Sequence, residues 1–143
     1  MTIPPQYFAE IISTLQRGPS SAKGQELRRT SRMQVWAQIP IGVIKDRGLG
    51  QRSVSLARDI SMEGIGLLST ISLPAGGQIL VCLPRNDSKS LVLIAEAVFC
   101  APVADGMQSL GCRFTEEAAP TLAHLFEHQT DDQQARLRRA VLG

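Results

Sequence analysis

At 143 residues, with 43% hydrophobic and 20% charged side chains, the chain has room for one ordinary soluble domain with its own core. Aromatics make up only 4%, so Val, Ile, Leu and Ala must fill that core. The three cysteines are widely spaced with no CxxC pair, which suggests neither a zinc site nor a disulfide framework, and the net charge of +2 leaves the whole protein near neutral.

The charge is unevenly divided. Met1–Arg58 holds nine Lys/Arg against three Asp/Glu, whereas the remainder holds six against ten, so the first part attracts anions. The opening residues lack a basic stretch followed by an apolar run, so no secretory signal is expected. The most apolar segment, Leu91–Ala104, is too short to span a bilayer and contains Glu96. A cytoplasmic location without membrane insertion is the expectation, consistent with unpaired Cys82, Cys100 and Cys112.

Residues 5–17 place Phe8, Ile11, Ile12 and Leu15 on one helical face, predicting a short amphipathic helix. Residues 18–33 are rich in Gly, Ser and polar side chains and carry the basic cluster Arg28-Arg29-Thr30-Ser31-Arg32, read as a flexible loop. From there the period becomes 2. Val35, Ala37, Ile39 and Ile41 alternate with Trp36, Gln38 and Pro40, the proline pointing to an edge or a bulge. After the turn-like residues 46–51, Val54, Leu56 and Ile60 are expected to share a face that Arg58 interrupts.

Further strands are predicted at Gly64–Thr70, Gln78–Leu83, Leu91–Cys100 and Ser109–Thr115, separated in part by turn-like residues 73–77 and 84–90. The C-terminal part returns to helical spacing at Ala119, Leu122, Leu125 and Phe126, and residues 129–143 form a helical tail. The expected organisation is a helical extension over 1–17, a loop over 18–33, a six-stranded antiparallel β-barrel with its following helix over 34–128, and the tail.

Two local patterns carry the chemistry: Arg28-x-x-x-Arg32 before the first strand, and Asp59-x-Ser61-x-x-Gly64 between two later ones. Separately, each has an ordinary explanation. Loop arginines are usually solvated, and Asp, Ser and Gly are common turn residues. In this order, about a strand pair apart, they resemble the signature of the PilZ family. The resemblance extends through Ile65-Gly66-Leu67, the 73–76 turn, the strand around Ala95–Cys100, Leu110–Phe114 and the helix with Leu122 and Leu125.

That resemblance implies a split-barrel sensor of cyclic di-GMP rather than an enzyme. Arg28 and Arg32 would hold phosphate and guanine, with Arg29 adding charge nearby. Asp59, Ser61 and Gly64 would form the guanine-reading surface. The implied ligand has chemistry to match: an Arg fork suits phosphate oxygens and guanine O6/N7, and a carboxylate accepts from a guanine N–H edge. Leu27, where some family members carry another Arg, favours one ligand molecule per chain. Ordering of the 18–32 loop would relay binding to an unknown downstream protein, and no resident cofactor is implied.

Three alternatives stand beside this reading. His124-Leu125-Phe126-Glu127-His128 matches an HxxEH zinc-peptidase pattern, but no later Glu supplies a third ligand and Leu125 and Phe126 are accounted for by packing. A nucleic-acid-binding barrel would want exposed aromatics interleaved with basic residues, and these are not apparent. A PilZ-fold adaptor that no longer binds the nucleotide is the third.

Overall fold

The computed structural model describes residues 1–16, 32–45, 48–85 and 90–124. The described residues form a helix α1 (Pro5–Leu15) and six strands, β1 (Met33–Lys45), β2 (Gly48–Ile60), β3 (Gly64–Ser69), β4 (Gln78–Pro84), β5 (Ser90–Ala104) and β6 (Met107–Glu117). A helical stretch at 120–124 follows. The strands close into an antiparallel barrel in the order β1-β2-β3-β6-β5-β4, so each described strand has a neighbour on both sides.

Alternation along the strands explains the closure. Ile39, Ile41, Ile65, Leu67, Ile79, Val81, Leu83, Leu93, Ala95, Leu110, Cys112 and Phe114 all point into one core. At roughly 1.5–3 kcal/mol for each fully buried Leu, Ile or Phe, this interior is what holds the barrel together. Helix α1 belongs to the same core. Pro5 supplies the preset φ of a first helical turn, and Phe8, Ile11 and Ile12 are buried, with Ile3 just upstream. An 11-residue helix is marginal alone, so packing fixes it. Its outer side is held by Arg85, whose guanidinium lies 4.0 Å from the Tyr7 ring centroid and 2.9 Å from Glu10 Oε2.

The turns use the residues their geometry requires. Gly76, with φ of +87°, makes the β3–β4 connection, and Asp105-Gly106, both with positive φ, forms the two-residue hairpin between β5 and β6. The strong Asp-Gly turn keeps that ladder running to Ala104 and Met107, so β5 and β6 are longer than the periodicity predicts. Pro40 sits one residue before the β1–β4 ladder begins at Ile41, an edge-like place; the bulges of β1 lie instead at Gln34/Ala37 and Gly42/Ile44.

One expected face is corrected. Val54 is exposed and Leu56 half-buried, while Ser55, Ala57 and Ile60 point inward. An extra residue in β2 at Arg58, between the pairs Ala57–Leu67 and Asp59–Gly66, shifts the alternation by one, so a face counted straight through Val54, Leu56 and Ile60 mixes outside with inside. Ser55 is tolerated inside because its hydroxyl meets the Ser69 hydroxyl at 2.8 Å, and Ser69 accepts the Ile71 N–H at 3.1 Å.

Candidate functional site

The turn after β2 is built by Ser61. Its hydroxyl accepts the N–H groups of Glu63 (3.2 Å) and Gly64 (3.1 Å), and its own N–H donates to the Gly64 carbonyl at 2.9 Å. Neighbouring elements pin the turn from both sides: the Ile3 N–H donates to Met62 O and the Phe114 N–H to Glu63 O, each at 2.8 Å. Ser61 is therefore buried with its acceptor capacity spent on the turn. Gly64 is a glycine for a related reason. A Cβ there would stand 2.4 Å from the Cys112 carbonyl oxygen, so the close approach of β6 requires it, with no positive φ involved.

The bulge at Arg58 places Asp59 on the barrel's outer wall. Asp59 pairs with Gly66, Gly66 with Gly111, and Gly111 with Phe99, giving one lateral row across β2, β3, β6 and β5. Ile65, Leu67, Leu110 and Cys112 point inward, so the two glycines face out and form a floor without side chains. The Asp59 carboxylate lies over Gly66, with Oδ1 only 2.7 Å from where a Cβ would stand. The Phe99 ring lies over Gly111 in the same manner, at 2.2 Å from its Cβ position. Phe99 is 48% exposed and Val98 59%, unusual for residues of their size.

Charge is concentrated at the Asp59 end. Arg32 NH1 lies 2.7 Å from Asp59 Oδ1, and Arg58 Nε lies 3.2 Å from Oδ2. Arg58 NH1 also donates to Ser109 Oγ at 3.1 Å. Both carboxylate oxygens are thus engaged, one by each arginine. Between Arg32 and Phe99 lies an open cavity of about 250 Å³, whose wall also includes Ser61, Gly64, Gly111 and Arg113. Arg113, held 3.2 Å from Glu96, adds a second cation at its rim. A neighbouring cavity of about 420 Å³ shares Glu63 and Arg113 with it but lacks Arg32; Asp59 lines neither cavity and reaches the smaller one only through its pair with Arg32.

Of the expected site residues, the fold brings Arg32, Asp59, Ser61 and Gly64 together across 27 positions of sequence separation between Arg32 and Asp59. Arg28 and Arg29 lie outside the described residues, as do Glu127 and His128 of the HxxEH pattern. Phe99, Gly66, Gly111 and Ser109 belong to the site and were not singled out for it from the sequence. The signal for the two glycines lies in the inward-outward-inward triplets Ile65-Gly66-Leu67 and Leu110-Gly111-Cys112. Behind the cavity wall, burial pushes the Cys112 thiol up to about 12, with Cys100 adding to the shift and Arg32 opposing it, so this thiol is inert at neutral pH.

A closed antiparallel barrel presenting a charged, glycine-floored site on its outer wall defines a small β-barrel domain suited to holding a polar ligand against its surface. The PilZ domain family matches residues 26–131, and the chain belongs to that family. Its members are receptor and adaptor domains. Among solved structures, the chain is similar to the Bacillus subtilis inhibitor of motility (MotI/DgrA), with 14% identity and a TM-score of 0.47, over 82% of this chain and 57% of that one. The chain therefore spans just over half the length of that protein. No curated protein matches. Among the described residues, no helix is long and apolar enough to cross a membrane.

Proposed function

We propose that this chain is a cyclic di-GMP receptor domain that hands the bound state on to a protein partner. The observation that carries the reading is the Asp59 carboxylate held over bare Gly66 by Arg32 and Arg58, in line with the Phe99 ring over Gly111. A purine needs a flat, unobstructed floor, an acceptor for its N–H edge and a π-face to stack on. Phosphodiesters need arginine forks. Arg32 and Phe99 line the cavity and the Asp59 acceptor stands at its margin; the glycine floor is covered by the Asp59 carboxylate and the Phe99 ring, so a base reaches it as those side chains swing aside.

Arg32 is 52% exposed, so its pair with Asp59 is worth at most about 1 kcal/mol and is easily given up. A ligand phosphate takes Arg32, and Asp59 Oδ1 is then released to accept from a guanine. In this scheme Ser61 and Gly64 act by fixing the turn that carries Asp59. Arg28 joins Arg32 at the ligand, as the family signature implies, Arg29 adds charge nearby, and the ordering of residues 18–32 provides the surface a partner reads.

Titration calorimetry with cyclic di-GMP, beside Arg32→Ala and Asp59→Ala, tests the proposal. Binding at micromolar or better, weakened at least tenfold in both variants, is the expected result. A flat titration with the folded parent chain would remove the receptor reading and favour the nucleotide-independent adaptor.

A further inference from the structure

Arg58 stands immediately before the Asp-x-Ser turn, and the motif assigns it nothing. In a regular strand, consecutive residues point to opposite faces, and Arg58 would turn away from Asp59. The extra residue in β2 cancels that alternation, and a matching irregularity in β1 sets Val35 and Trp36 against this one position. Trp36 holds a φ of +47° there, rare for a bulky residue. The result is that Arg58 and Asp59 reach the same side of Gly66.

The Arg58 fork is fixed at two points and open at the third. Nε faces Asp59 Oδ2 at 3.2 Å, and NH1 faces Ser109 Oγ at 3.1 Å. NH2 stands 3.1 Å from the Cβ position of Gly66 and has no partner among the described residues. An aimed donor therefore lies beside Asp59 Oδ1 over the same bare glycine. Donor beside acceptor complements guanine in one orientation of the base and adenine only with the base turned over, so the order of the two groups discriminates once ribose and phosphate are held on one side. Guanine offers O6 as an acceptor next to its N1–H donor, whereas adenine offers an amino donor next to an acceptor nitrogen.

Resting on the cyclic di-GMP reading, we propose that Arg58 is a specificity-determining residue: its NH2 donates to O6 of the guanine whose N–H edge Asp59 accepts, and an adenine at that place is rejected. A site built to bond one edge excludes the other strongly, because its polar groups are left facing like groups. Ser109 is the positioning residue that keeps the fork turned toward the floor.

The test compares cyclic di-GMP with cyclic di-AMP by titration calorimetry on the parent chain, Arg58→Met, Arg58→Lys and Ser109→Ala, with unfolding midpoints measured alongside. The parent is expected to prefer the guanine ligand at least 100-fold. Arg58→Met should weaken cyclic di-GMP at least tenfold and leave cyclic di-AMP within threefold, narrowing the ratio. Arg58→Lys, which keeps the charge but not the fork, should recover less than a third of the lost preference. Ser109→Ala should narrow the ratio three- to tenfold, and this variant decides the matter if Arg58→Met does not fold.

Equal weakening toward both ligands would reduce Arg58 to a source of charge and overturn the proposal, as would an unchanged ratio in Ser109→Ala together with either Arg58 variant. A parent chain that binds neither dinucleotide would overturn the receptor reading itself. That failure is distinct, because it appears before any variant is made.

Discussion

Gly64 and Gly66 lie two residues apart on β3, yet adding a methyl group to each should have opposite consequences. At Gly64 the new Cβ would stand 2.4 Å from the Cys112 carbonyl oxygen and 3.4 Å from Arg113 Cα, both backbone atoms of the neighbouring strand. Relief requires β3 and β6 to separate at the foot of their ladder. Overpacking of this kind costs roughly 1–3 kcal/mol. At Gly66 the obstructing atoms are Asp59 Oδ1 at 2.7 Å, Asp59 Oδ2 at 3.0 Å and Arg58 NH2 at 3.1 Å, all ends of side chains on the outer wall. They swing aside, and the barrel is undisturbed.

The ion pairs lost at Gly66 are partly exposed and worth about 0–1 kcal/mol each, which the stiffer unfolded chain of an alanine variant offsets by roughly 0.4–1 kcal/mol. Gly66→Ala should therefore change stability by less than about 1 kcal/mol, while displacing the carboxylate from its ligand. Charge-assisted hydrogen bonds of roughly 1.5–3 kcal/mol correspond to a roughly 10- to 100-fold loss of affinity for cyclic di-GMP. Denaturant unfolding and titration calorimetry on both variants give the comparison. A destabilised Gly66→Ala that still binds fully, or a stable Gly64→Ala that has lost binding, would refute the assignment of one glycine to the fold and the other to the site.

Other expectations concern the interior. Ser69→Ala leaves the Ser55 hydroxyl and the Ile71 N–H without their buried partner, and should cost about 1–3 kcal/mol in chemical unfolding; Ser55→Ala, which orphans less, should cost less. With its thiol held near 12, Cys112 is about one part in 10⁴ thiolate at pH 8, so alkylation followed by mass spectrometry should modify the half-buried Cys100 well before Cys112. The same shift makes the contribution of Cys112 to stability complete below pH 9 and progressively lost as pH rises toward 12, because the unfolded thiol ionises first; Cys112→Val should flatten that alkaline limb of a stability profile. Arg85→Ala removes both the Tyr7 stacking contact and the Glu10 pair, and should raise amide exchange in α1 by severalfold without touching the core of the barrel.

Much of the architecture was legible because period-2 alternation is a direct record of inside and outside. All six strands were placed by it, and the first helix by the helical spacing of Phe8, Ile11, Ile12 and Leu15; the motif pair singled out Arg32 and Asp59, which the fold brings to 2.7 Å. Alternation fails where an extra residue shifts its phase. That is what happened at Arg58, and it moved Val54 and Leu56 to the wrong face. The ends of β5 and β6 were missed for a different reason: Asp105-Gly106 is a strong hairpin signal, but Ala101-Pro102-Val103-Ala104 before it is apolar without alternation, holds a proline and is exposed on all sides, so no inside–outside pattern marks it. Phe99 escaped notice because its importance comes from lying across Gly111 on a neighbouring strand, a pairing that sequence spacing alone does not specify.

The two motifs also differ in how they are tied to the rest of the molecule. The Asp59 turn is held by the backbone on both flanks, through Ile3 ahead of α1 and through Phe114 in β6. Gln34, two residues beyond Arg32, has its carbonyl bonded by the Gln16 side chain at the end of α1, at 2.9 Å. The two ends of the α1 segment therefore touch the two halves of the candidate site, and the buried faces of Phe8, Ile11 and Ile12 join them through the core. Gln34 is also the ladder partner of Asp59, so the start of β1, the Asp59 turn and α1 are tied to one another by backbone and core, and the Arg32 side chain, more than half exposed, is the part of this arrangement free to change partners.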